Sequence, residues 1–333
     1  MELILEKLIP IVGSKGWKTP NIENAKYVHD ITNFKNGKPS IILLPKSTQE
    51  VIKIMQICND FCWPVSIQGG MTGLVQGAVP FDSEVILSLE RMNSILNLDR
   101  VSQSATVETG ITLEKFQKFL EEEGFFFPLD LGSKGSCFLG GNLATNAGGT
   151  RVIKYGMMRD LTLGIEVVLA DGTLISNLHN LIKDNSGYDL KQIFIGSEGT
   201  LGVITKATLK FYQEPKTQNV AFCGVDNLDE LLNLLINCKK ELGSDLSAFE
   251  VLWKSTYEFI KSSTSIKAPL PTKYNFYVLI ETLGNKPAID DKWFSETFNK
   301  FLSKKIIKDA IISSSQRDIK NLWDVLEKPQ RKV

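Results

Sequence analysis

The chain has 333 residues, of which 43% are hydrophobic and 23% are charged. This composition is ordinary for a globular protein and excludes a disordered or collagen-like chain, and the length predicts about two domains. Lysine and arginine number 38, as do aspartate and glutamate, so the formal net charge is zero. Because proteins that bind nucleic acid usually carry a basic excess, we expect no nucleic-acid partner.

No apolar run approaches the roughly 18 residues that span a bilayer, so no membrane span is predicted. The chain begins Met-Glu-Leu-Ile-Leu-Glu, and its first arginine is Arg91. This start has neither the arginine-rich composition of a transit peptide nor the apolar stretch of a secretory signal. From the residues alone we expect a cytoplasmic protein, a processed organellar protein or an incomplete sequence.

The five cysteines are an odd and sparse set, which favours a reducing compartment. Cys58 and Cys62 lie four residues apart on a predicted helix, and we interpret both as small buried apolar residues. The two histidines, His29 and His179, are far apart in sequence. That separation nearly excludes a histidine-rich zinc site within this chain.

In the first two thirds of the chain, short strands alternate with helices. Residues 48–61 carry apolar side chains at helical spacing, and Thr112 is the expected cap of a helix that runs to about residue 123. Asp171-Gly172 is a strong hairpin signal, and residues 203–211 alternate as in a half-buried strand. The other predicted strands span residues 41–44, 64–67, 85–89, 105–109, 163–170 and 173–175.

After residue 214 the pattern is that of a second α+β domain. Strands are predicted at residues 220–225, 248–252 and 274–281, and helices at 228–242 and 290–302. We find no internal repeat and no low-complexity segment.

Glycine is the most informative residue of the chain. Nineteen of the 25 glycines lie between Gly69 and Gly202. Glycine permits positive φ and a close approach of the backbone to a ligand. This concentration therefore suggests one domain built around a bound group.

The spacing of these glycines excludes the common phosphate-binding motifs. A Rossmann fingerprint needs two glycines separated by one residue, and no such pair exists in the chain. Gly135 and Gly140 have the glycine spacing of a P-loop, but Gly141 follows where that motif needs lysine. A nucleotide, if bound, must be held in another way.

Two glycine clusters remain as candidates. Residues 68–74, Gln-Gly-Gly-Met-Thr-Gly-Leu, follow a short strand and could turn consecutive amides toward one anion, such as a pyrophosphate. Residues 140–149 are a run of small residues against which a flat ring can pack, with Asn142, Thr145 and Asn146 as donors and acceptors. Each cluster taken singly is also compatible with a plain turn.

These loops resemble those of the FAD-linked oxidoreductases of the vanillyl-alcohol-oxidase and para-cresol-methylhydroxylase type. The similarity runs from about Tyr27 to Trp323. Residues 183–192 and 246–250 make the chain most similar, within that family, to the D-2-hydroxyglutarate dehydrogenases. The stretches that carry the family resemblance are residues 68–74, 128–132, 140–149, 187–190 and 195–205.

The resemblance implies an α+β fold with three parts. An N-terminal helical segment would span residues 1–35, and a two-part FAD-binding domain of the para-cresol-methylhydroxylase type would span 36–214. An incomplete α+β substrate or cap domain would follow at 215–333.

The resemblance also implies which residues bind FAD. The loop at 69–74 would hold the pyrophosphate through its amides, residues 128–132 and 136–137 would line the phosphates or the isoalloxazine, and residues 199–204 would lie near the adenine. Family members with covalent FAD usually carry histidine where Met71 stands, so we expect non-covalent FAD. The predicted cofactor residues are Gln68, Gly69, Gly70, Met71, Thr72, Gly73, Leu74, Leu129, Asp130, Gly132, Ser136, Cys137, Gly140, Gly141, Asn142, Thr145, Asn146, Gly149, Gly199 and Ile204.

The implied reaction is the oxidation of a 2-hydroxy acid by hydride transfer to flavin N5, while a base takes the hydroxyl proton. D-2-hydroxyglutarate, which would give 2-oxoglutarate, is the expected substrate, and D-lactate and glycolate remain open. The implied electron acceptor is a protein such as electron-transfer flavoprotein. Many relatives are mitochondrial, which implies the same location here.

The catalytic groups of such relatives have no counterpart that can be named here. An arginine is expected just after the Leu-Trp pair, but Leu326 stands in its place, and the sequence ends at Val333 without the C-terminal histidines of a divalent-metal site. The chain is thus expected to be truncated, and a catalytically incomplete FAD-binding fragment or remnant is the alternative to an active dehydrogenase.

The sequence allows two interpretations for several charged or polar residues. Asp130 could face the flavin or make a plain turn contact. The two histidines match no catalytic position of the family, and we interpret them as surface or loop residues. A third set could meet an anionic substrate or pair with solvent and acidic neighbours: Arg151, Lys154, Tyr155 and Arg159.

Overall fold

The computed structural model describes residues 2–32, 34, 37–264 and 266–330. The helices are α1 Glu2–Val12, α2 Thr48–Asp60, α3 Leu113–Glu122, α4 Leu139–Ala144, α5 Val152–Tyr155, α6 Met158–Leu161, α7 Lys191–Phe194, α8 Leu228–Leu242, α9 Lys254–Ser263, α10 Pro287–Ser303 and α11 Gln316–Gln330. The strands are β1 Trp17–Lys18, β2 Ile41–Leu43, β3 Val65–Gln68, β4 Val85–Ser88, β5 Ile95–Asp99, β6 Ser104–Glu108, β7 Phe125–Phe126, β8 Thr162–Val168, β9 Leu174–Asn177, β10 Val203–Lys210, β11 Tyr212–Gln213, β12 Thr217–Val225, β13 Leu246–Trp253, β14 Phe276–Gly284 and β15 Asp309–Ile312.

The chain forms two compact units. The first contains the residues up to Phe127, then Ser133–Ala147 and Met157–Tyr212. The second contains Pro128–Gly132, Gly148–Gly156 and the residues from Gln213 onward. Two short segments of the glycine-rich region therefore belong to the second unit.

The first unit contains a small sheet in the order β1-β2-β4-β3. β2 and β3 run parallel to β4, and β1 is antiparallel to β2. The helices α1 and α2 share a core with this sheet that includes Leu8, Val51 and Leu87. α2 begins after Ser47, whose side chain accepts a hydrogen bond from the Glu50 amide, as expected of an N-cap.

The two cysteines of the α2 region differ in their surroundings. Cys58 is buried in the core, and burial raises the pKa of its thiol to about 12. Cys62 lies beyond the end of α2 with φ +51° and is exposed. The prediction that Cys62 is buried was therefore wrong, because the helix ends before it.

The first unit also contains an antiparallel sheet in the order β5-β6-β10-β8-β9. The predicted hairpin at Asp171-Gly172 is confirmed: Gly172 has φ +83°, and Asp171 Oδ1 accepts from the Thr173 amide at 2.8 Å. The prediction of a half-buried β10 was wrong, because all its residues except Lys206 and Lys210 are buried. Both faces of this strand are covered.

A buried carboxylate on β8 explains how the polar face of β10 can be covered. Glu166 accepts from the hydroxyls of Thr48 (2.6 Å) and Thr205 (2.9 Å), and Lys206 Nζ lies 3.0 Å away. Burial works against the charge of Glu166, but these hydrogen bonds outweigh it and lower its pKa. The start of α2 is thereby tied to the large sheet.

The second unit is an antiparallel sheet in the order β13-β14-β12-β15 with helices on both faces. Alternate residues of β12 point to opposite faces. Ala221 and Cys223 share a core with α8 and α10, whereas Val220 and Phe222 share one with α9 and α11. The predicted helix at 228–242 is confirmed at both ends.

One buried carboxylate joins several elements of the second unit. Glu281 of β14 is fully buried and accepts from Arg151 Nε (2.9 Å), Ser247 Oγ (2.8 Å), Gln218 Nε2 (2.6 Å) and Trp323 Nε1 (3.0 Å). Burial works against the charge of Arg151, but Glu281 outweighs it and raises the pKa of the guanidinium. A charged pair at this depth is favourable only because its hydrogen bonds are satisfied.

We predict that Glu281→Ala lowers the free energy of unfolding by about 3–5 kcal/mol, because it removes the fully buried carboxylate of the pair and leaves Arg151 with Asp130 as its acidic partner. Urea denaturation followed by circular dichroism measures the loss. Glu241→Ala is the matched control, since Glu241 pairs with Lys300 at 2.8 Å on the surface and exposed pairs contribute at most about 1 kcal/mol. Equal losses in the two variants would contradict the prediction.

Candidate cofactor site

The loop at residues 69–74 lies at one edge of the small sheet. Gln68 of β3 pairs with Ser88 of β4, and because these strands are parallel, the segments that follow them meet at the same edge. Gln68 is 2% exposed, and its Nε2 donates to the carbonyls of Tyr27 (2.8 Å) and Ala78 (2.9 Å). Its side chain therefore joins the N-terminal segment to the end of the loop.

The main chain of this loop presents amides that the protein itself does not use. In the part of the chain that the structure describes, no amide from Gly70 to Leu74 donates a hydrogen bond to another residue. Gly70 to Thr72 are half-buried, whereas Gly73 and Leu74 are exposed. Consecutive free amides are the donor set of an anion-binding nest.

The segment at residues 133–141, which includes the predicted residues Ser136, Cys137 and Gly140, lies directly against this loop. A Cβ at Gly70 would stand 1.9 Å from the carbonyl oxygen of Ser136, so only glycine fits there. An added Cβ at Gly69 would meet the main chain of Gly141 at an ordinary 3.5 Å. Gly141 lies in α4, and a Cβ on it would meet nothing within 4 Å.

Polar side chains in and after α4 form hydrogen bonds that stabilise the backbone around this helix. Asn142 is buried and accepts from Cys137 Sγ at 3.8 Å, and burial raises the pKa of that thiol. The Thr145 hydroxyl donates to the main-chain carbonyl four residues earlier (2.8 Å), and Asn146 Oδ1 accepts from the Arg159 amide (2.9 Å). The side chains of these predicted cofactor residues thus also support the backbone, which the sequence did not predict.

The segment at residues 196–204, which includes the predicted positions 199–204, packs against α4. The amide of Gly196 donates to the carbonyl of Leu143 at 3.0 Å. Gly199 has φ +78°, and an added Cβ there would lie 3.6 Å from Ile67 of β3. The segment is therefore in contact with both the strand before the amide loop and the helix beside it.

Thr109 links two predicted cofactor residues of this unit, Ile204 and Gly140. Its hydroxyl donates to the carbonyl of Ile204 (2.5 Å), and its own carbonyl accepts from the Gly140 amide (2.8 Å). The first unit thus brings together the three clusters at 68–74, 136–146 and 199–204.

Four predicted cofactor residues belong to the second unit: Leu129, Asp130, Gly132 and Gly149. A Cβ at Gly149 would stand 2.4 Å from the Asp130 carbonyl oxygen, so the two segments that carry these residues touch. Leu129 is buried, and the Asp130 carboxylate pairs with Arg151 at 3.2 Å. Their contact with a cofactor stays a prediction from the resemblance.

A cavity of about 490 Å³ opens beside the amide loop. Its wall includes the predicted residues Gly69 to Thr72 and Ser136. Sequence reasoning missed the rest of the wall, because no spacing rule links the segment before β2 to the end of β3. The missed residues include Lys26, Tyr27, His29, Asp30 and Glu90.

Two acidic groups of this wall differ in their partners. Glu90 accepts from Lys26 Nζ at 2.9 Å, and Lys18 Nζ lies 3.7 Å away. Burial works against the Glu90 charge, but hydrogen bonds from Lys26 and Tyr27 outweigh it and lower the pKa of Glu90. Burial and the nearby Glu90 raise the pKa of Tyr27. By contrast, Asp30 Oδ2 is buried without a hydrogen-bond partner among the described residues.

The two histidines lie in different surroundings. His29 follows the 3-10 helix Ile22–Tyr27 and lines the cavity. Its Nδ1 is buried and has no hydrogen-bond partner among the described residues. His179 lies outside the predicted site, with its Nε2 3.2 Å from Asp184.

The cations considered for an anionic substrate already have protein partners. Arg151 binds Glu281, and Lys154 lies 3.5 Å from Asp245. Arg159 donates from one guanidinium nitrogen to the carbonyl and the side-chain oxygen of Gln192, at 2.8 and 2.7 Å. The acidic-neighbour interpretation of Arg151 and Lys154 therefore agrees with the structure.

Across residues 2–32, 34, 37–264 and 266–330, no three His, Cys, Asp or Glu side chains are grouped to hold a metal ion. In the same ranges, no helix combines the length and apolarity required to cross a membrane.

Comparison with known proteins agrees with this architecture. The FAD binding domain family matches residues 39–177, and the family described as FAD linked oxidases, C-terminal domain, matches residues 214–329. The solved structure of p-cresol methylhydroxylase with substrate bound superimposes with a TM-score of 0.73 at 17% identity, over 94% of this chain and 65% of that one.

Two curated relatives have higher sequence identity. The mitochondrial D-2-hydroxyglutarate dehydrogenase of Bos taurus is 41% identical over 327 residues, which cover 97% of this chain and 59% of the relative. A putative mitochondrial D-lactate dehydrogenase of Schizosaccharomyces pombe is 41% identical over 295 residues, which cover 89% and 56%. The chain thus spans somewhat more than half the length of these relatives.

The two matched domains and the shared fold define the class of protein. The chain belongs to the FAD-linked oxidoreductases with the p-cresol methylhydroxylase fold, and it is closely related to the D-2-hydroxyglutarate and D-lactate dehydrogenases. The predicted resemblance and the predicted fold class are confirmed.

We predict that Met71→Asn raises the unfolding free energy by about 1 kcal/mol. Met71 has φ +54°, a left-handed conformation that is costly for methionine and that asparagine tolerates. Thermal denaturation of the FAD-free protein measures the change. Met71→Leu is the control, because leucine has no preference for this conformation and should give no gain. A Met71→Asn variant no more stable than Met71→Leu would contradict the prediction.

Proposed function

We propose that this chain binds FAD non-covalently in the first unit and acts as the FAD-binding part of a dehydrogenase. The dehydrogenase would oxidise a 2-hydroxy acid, with D-2-hydroxyglutarate as the expected substrate. The observation that carries the proposal is the row of unused amides from Gly70 to Leu74, beside a cavity and against α4. The matched FAD binding domain family supports the choice of cofactor.

The donor set of the loop fits the diphosphate of FAD. The amides of Gly70 to Leu74 can donate to phosphate oxygens without any basic side chain in the loop. The open faces of Gly69, Gly73 and Gly141 add room, since an added Cβ at these positions meets nothing closer than 3.5 Å. Gly140, Gly141, Gly199 and Ile204 would complete the site in the first unit.

Non-covalent binding follows from the side chain at residue 71. The thioether of Met71 cannot form the bond that a histidine makes to the flavin in covalent members of the family. Denaturation with acid should therefore release all the FAD into the supernatant.

The bound FAD would supply the acceptor for the hydride from the substrate Cα. The residues of the first unit would orient the cofactor and hold its negative charge. No described residue is assigned as the base that takes the hydroxyl proton. Leu326, at the expected position of an arginine, packs against the aromatic core of the second unit. That placement favours the second candidate, an FAD-binding protein without its own catalytic groups.

The substrate, partner and location rest on the relatives. The name of the bovine relative supports D-2-hydroxyglutarate, and that of the yeast relative keeps D-lactate open. We propose an electron-acceptor protein such as electron-transfer flavoprotein, and a mitochondrial location. We assign no divalent metal to the described residues.

We predict that Gly141→Ala weakens FAD binding at least about tenfold without loss of stability. Alanine favours the helix by up to about 1 kcal/mol, and its methyl meets nothing in the protein, but it would occupy the face where the flavin packs. Fluorescence titration with FAD and thermal denaturation measure the two effects.

Gly187→Ala is the matched control for this prediction. Its added methyl also meets nothing within 4 Å, and residue 187 lies in an exposed segment outside the predicted site. NAD is the control ligand. If Gly141→Ala and the wild type bind FAD equally, α4 does not face the flavin.

The reaction itself is tested by mixing the FAD-loaded protein with D-2-hydroxyglutarate without oxygen. We expect the visible flavin absorbance to disappear with this acid and to persist with its L-enantiomer. D-lactate and glycolate are tested in parallel. A bound flavin that stays oxidised with every acid would reject the dehydrogenase and leave the FAD-binding protein.

A further inference from the structure

The cavity beside the amide loop contains one buried carboxylate with half of its hydrogen-bonding capacity unused. Asp30 is 5% exposed. Its Oδ1 accepts from the amide of Thr32 (2.9 Å) and from the Thr32 hydroxyl (2.5 Å). Its Oδ2 has no partner among the described residues. Buried acceptors are almost always paired, so this oxygen is an exception that points to a ligand.

The position of Asp30 relates it to the amide loop. Asp30 and His29 line the same cavity as Gly70, Met71 and Thr72. His29 Nδ1 is likewise buried without a partner in the described part of the chain. Two residues of the cavity wall therefore carry a buried polar atom that has no hydrogen-bond partner among the described residues.

Among the described residues, the Asp30 carboxylate has no cationic partner of the kind that Glu90 has. Glu90 has Lys26 at 2.9 Å and Lys18 at 3.7 Å. Within the described residues, no ion pair involves Asp30, which bonds only to the neighbouring Thr32. The free oxygen can therefore take a hydrogen-bond donor from outside the protein.

The loop amides and the Asp30 carboxylate, which line the same cavity, would bind different groups of one ligand. The amides attract an anionic group such as a phosphate, whereas a carboxylate repels an anion and accepts from a hydroxyl. A sugar or sugar alcohol that carries a phosphate satisfies both. FAD contains two such groups, the ribitol and the adenosine ribose, on either side of its diphosphate.

We propose that Asp30 Oδ2 accepts a hydrogen bond from a hydroxyl of the FAD ribitol or ribose next to the diphosphate, and that Asp30 is a binding residue for this polyol. The proposal rests on the proposed function, because it names a contact within the same site. Nothing in the sequence pattern marks Asp30, since its position is set by tertiary structure.

The test uses Asp30→Asn, which changes one oxygen and keeps the other. The asparagine oxygen can still accept from Thr32, as in an Asx turn, while the amide nitrogen replaces the free acceptor with a donor. We expect the dissociation constant of FAD, measured by fluorescence titration, to rise at least about tenfold, as for the loss of a hydrogen bond to a charged group. The FAD-free variant should melt no lower than the wild type, because a buried unpaired charge is removed.

Thr32→Val is the matched control, because it removes only the hydroxyl that bonds to Oδ1. We expect it to lower the melting temperature and to leave the dissociation constant within about twofold. Asp30→Ser is the second variant if asparagine disturbs folding, since serine can keep the turn. A purely structural Asp30 would give the opposite result, with a lower melting temperature and an unchanged dissociation constant for Asp30→Asn.

Two smaller ligands distinguish the source of the hydroxyl. FMN carries the ribitol with one phosphate, and ADP carries the ribose with the diphosphate. Weaker binding of FMN alone to Asp30→Asn assigns the ribitol, and weaker binding of ADP alone assigns the ribose. Equal FAD affinity of wild type and Asp30→Asn would overturn the inference but not the proposed function. Absence of FAD binding by the wild type would overturn both.

Discussion

The close approach of the main chains at Gly70 and Ser136 is the constraint on which the candidate site depends. A side chain at residue 70 would collide with the Ser136 carbonyl, so the amide loop can lie against the second loop only because glycine is there. The loop in turn occupies the edge where β3 and β4 end together. In the part of the chain that the structure describes, the amides from Gly70 to Leu74 then have no protein acceptor and are available to a ligand.

A site built from main-chain donors has consequences for charge. Helical and loop amides attract an anion without a permanent cation, so the loop needs no lysine or arginine of its own. Two buried carboxylates elsewhere have cationic partners, Glu166 with Lys206 and Glu281 with Arg151. Asp30 Oδ2, which has no partner among the described residues, contrasts with both, and our proposal for the ligand chemistry of the cavity rests on it.

The charged and polar side chains described in the second unit mainly stabilise its fold. Its central carboxylate, Glu281, binds side chains from β12, β13, α11 and the residue before α5. Arg151 pairs with Glu281, and Lys154 lies near Asp245. Since the chain spans 59% of the bovine relative, the groups that select and activate a substrate are a question separate from the cofactor site.

The sequence by itself determined the features that depend on local structure. The helix at 228–242, the cap at Thr112 and the hairpin at Asp171-Gly172 are encoded within a few residues, and the glycine loops carry the family resemblance in contiguous motifs. Only the tertiary structure decided which distant segments share a wall. The pairing of β3 with β4 brings Met71 and Glu90 to the wall of one cavity, and the segment before β2 adds Asp30 to that wall. No periodicity records such contacts, because they arise from packing between segments that are tens of residues apart in the chain.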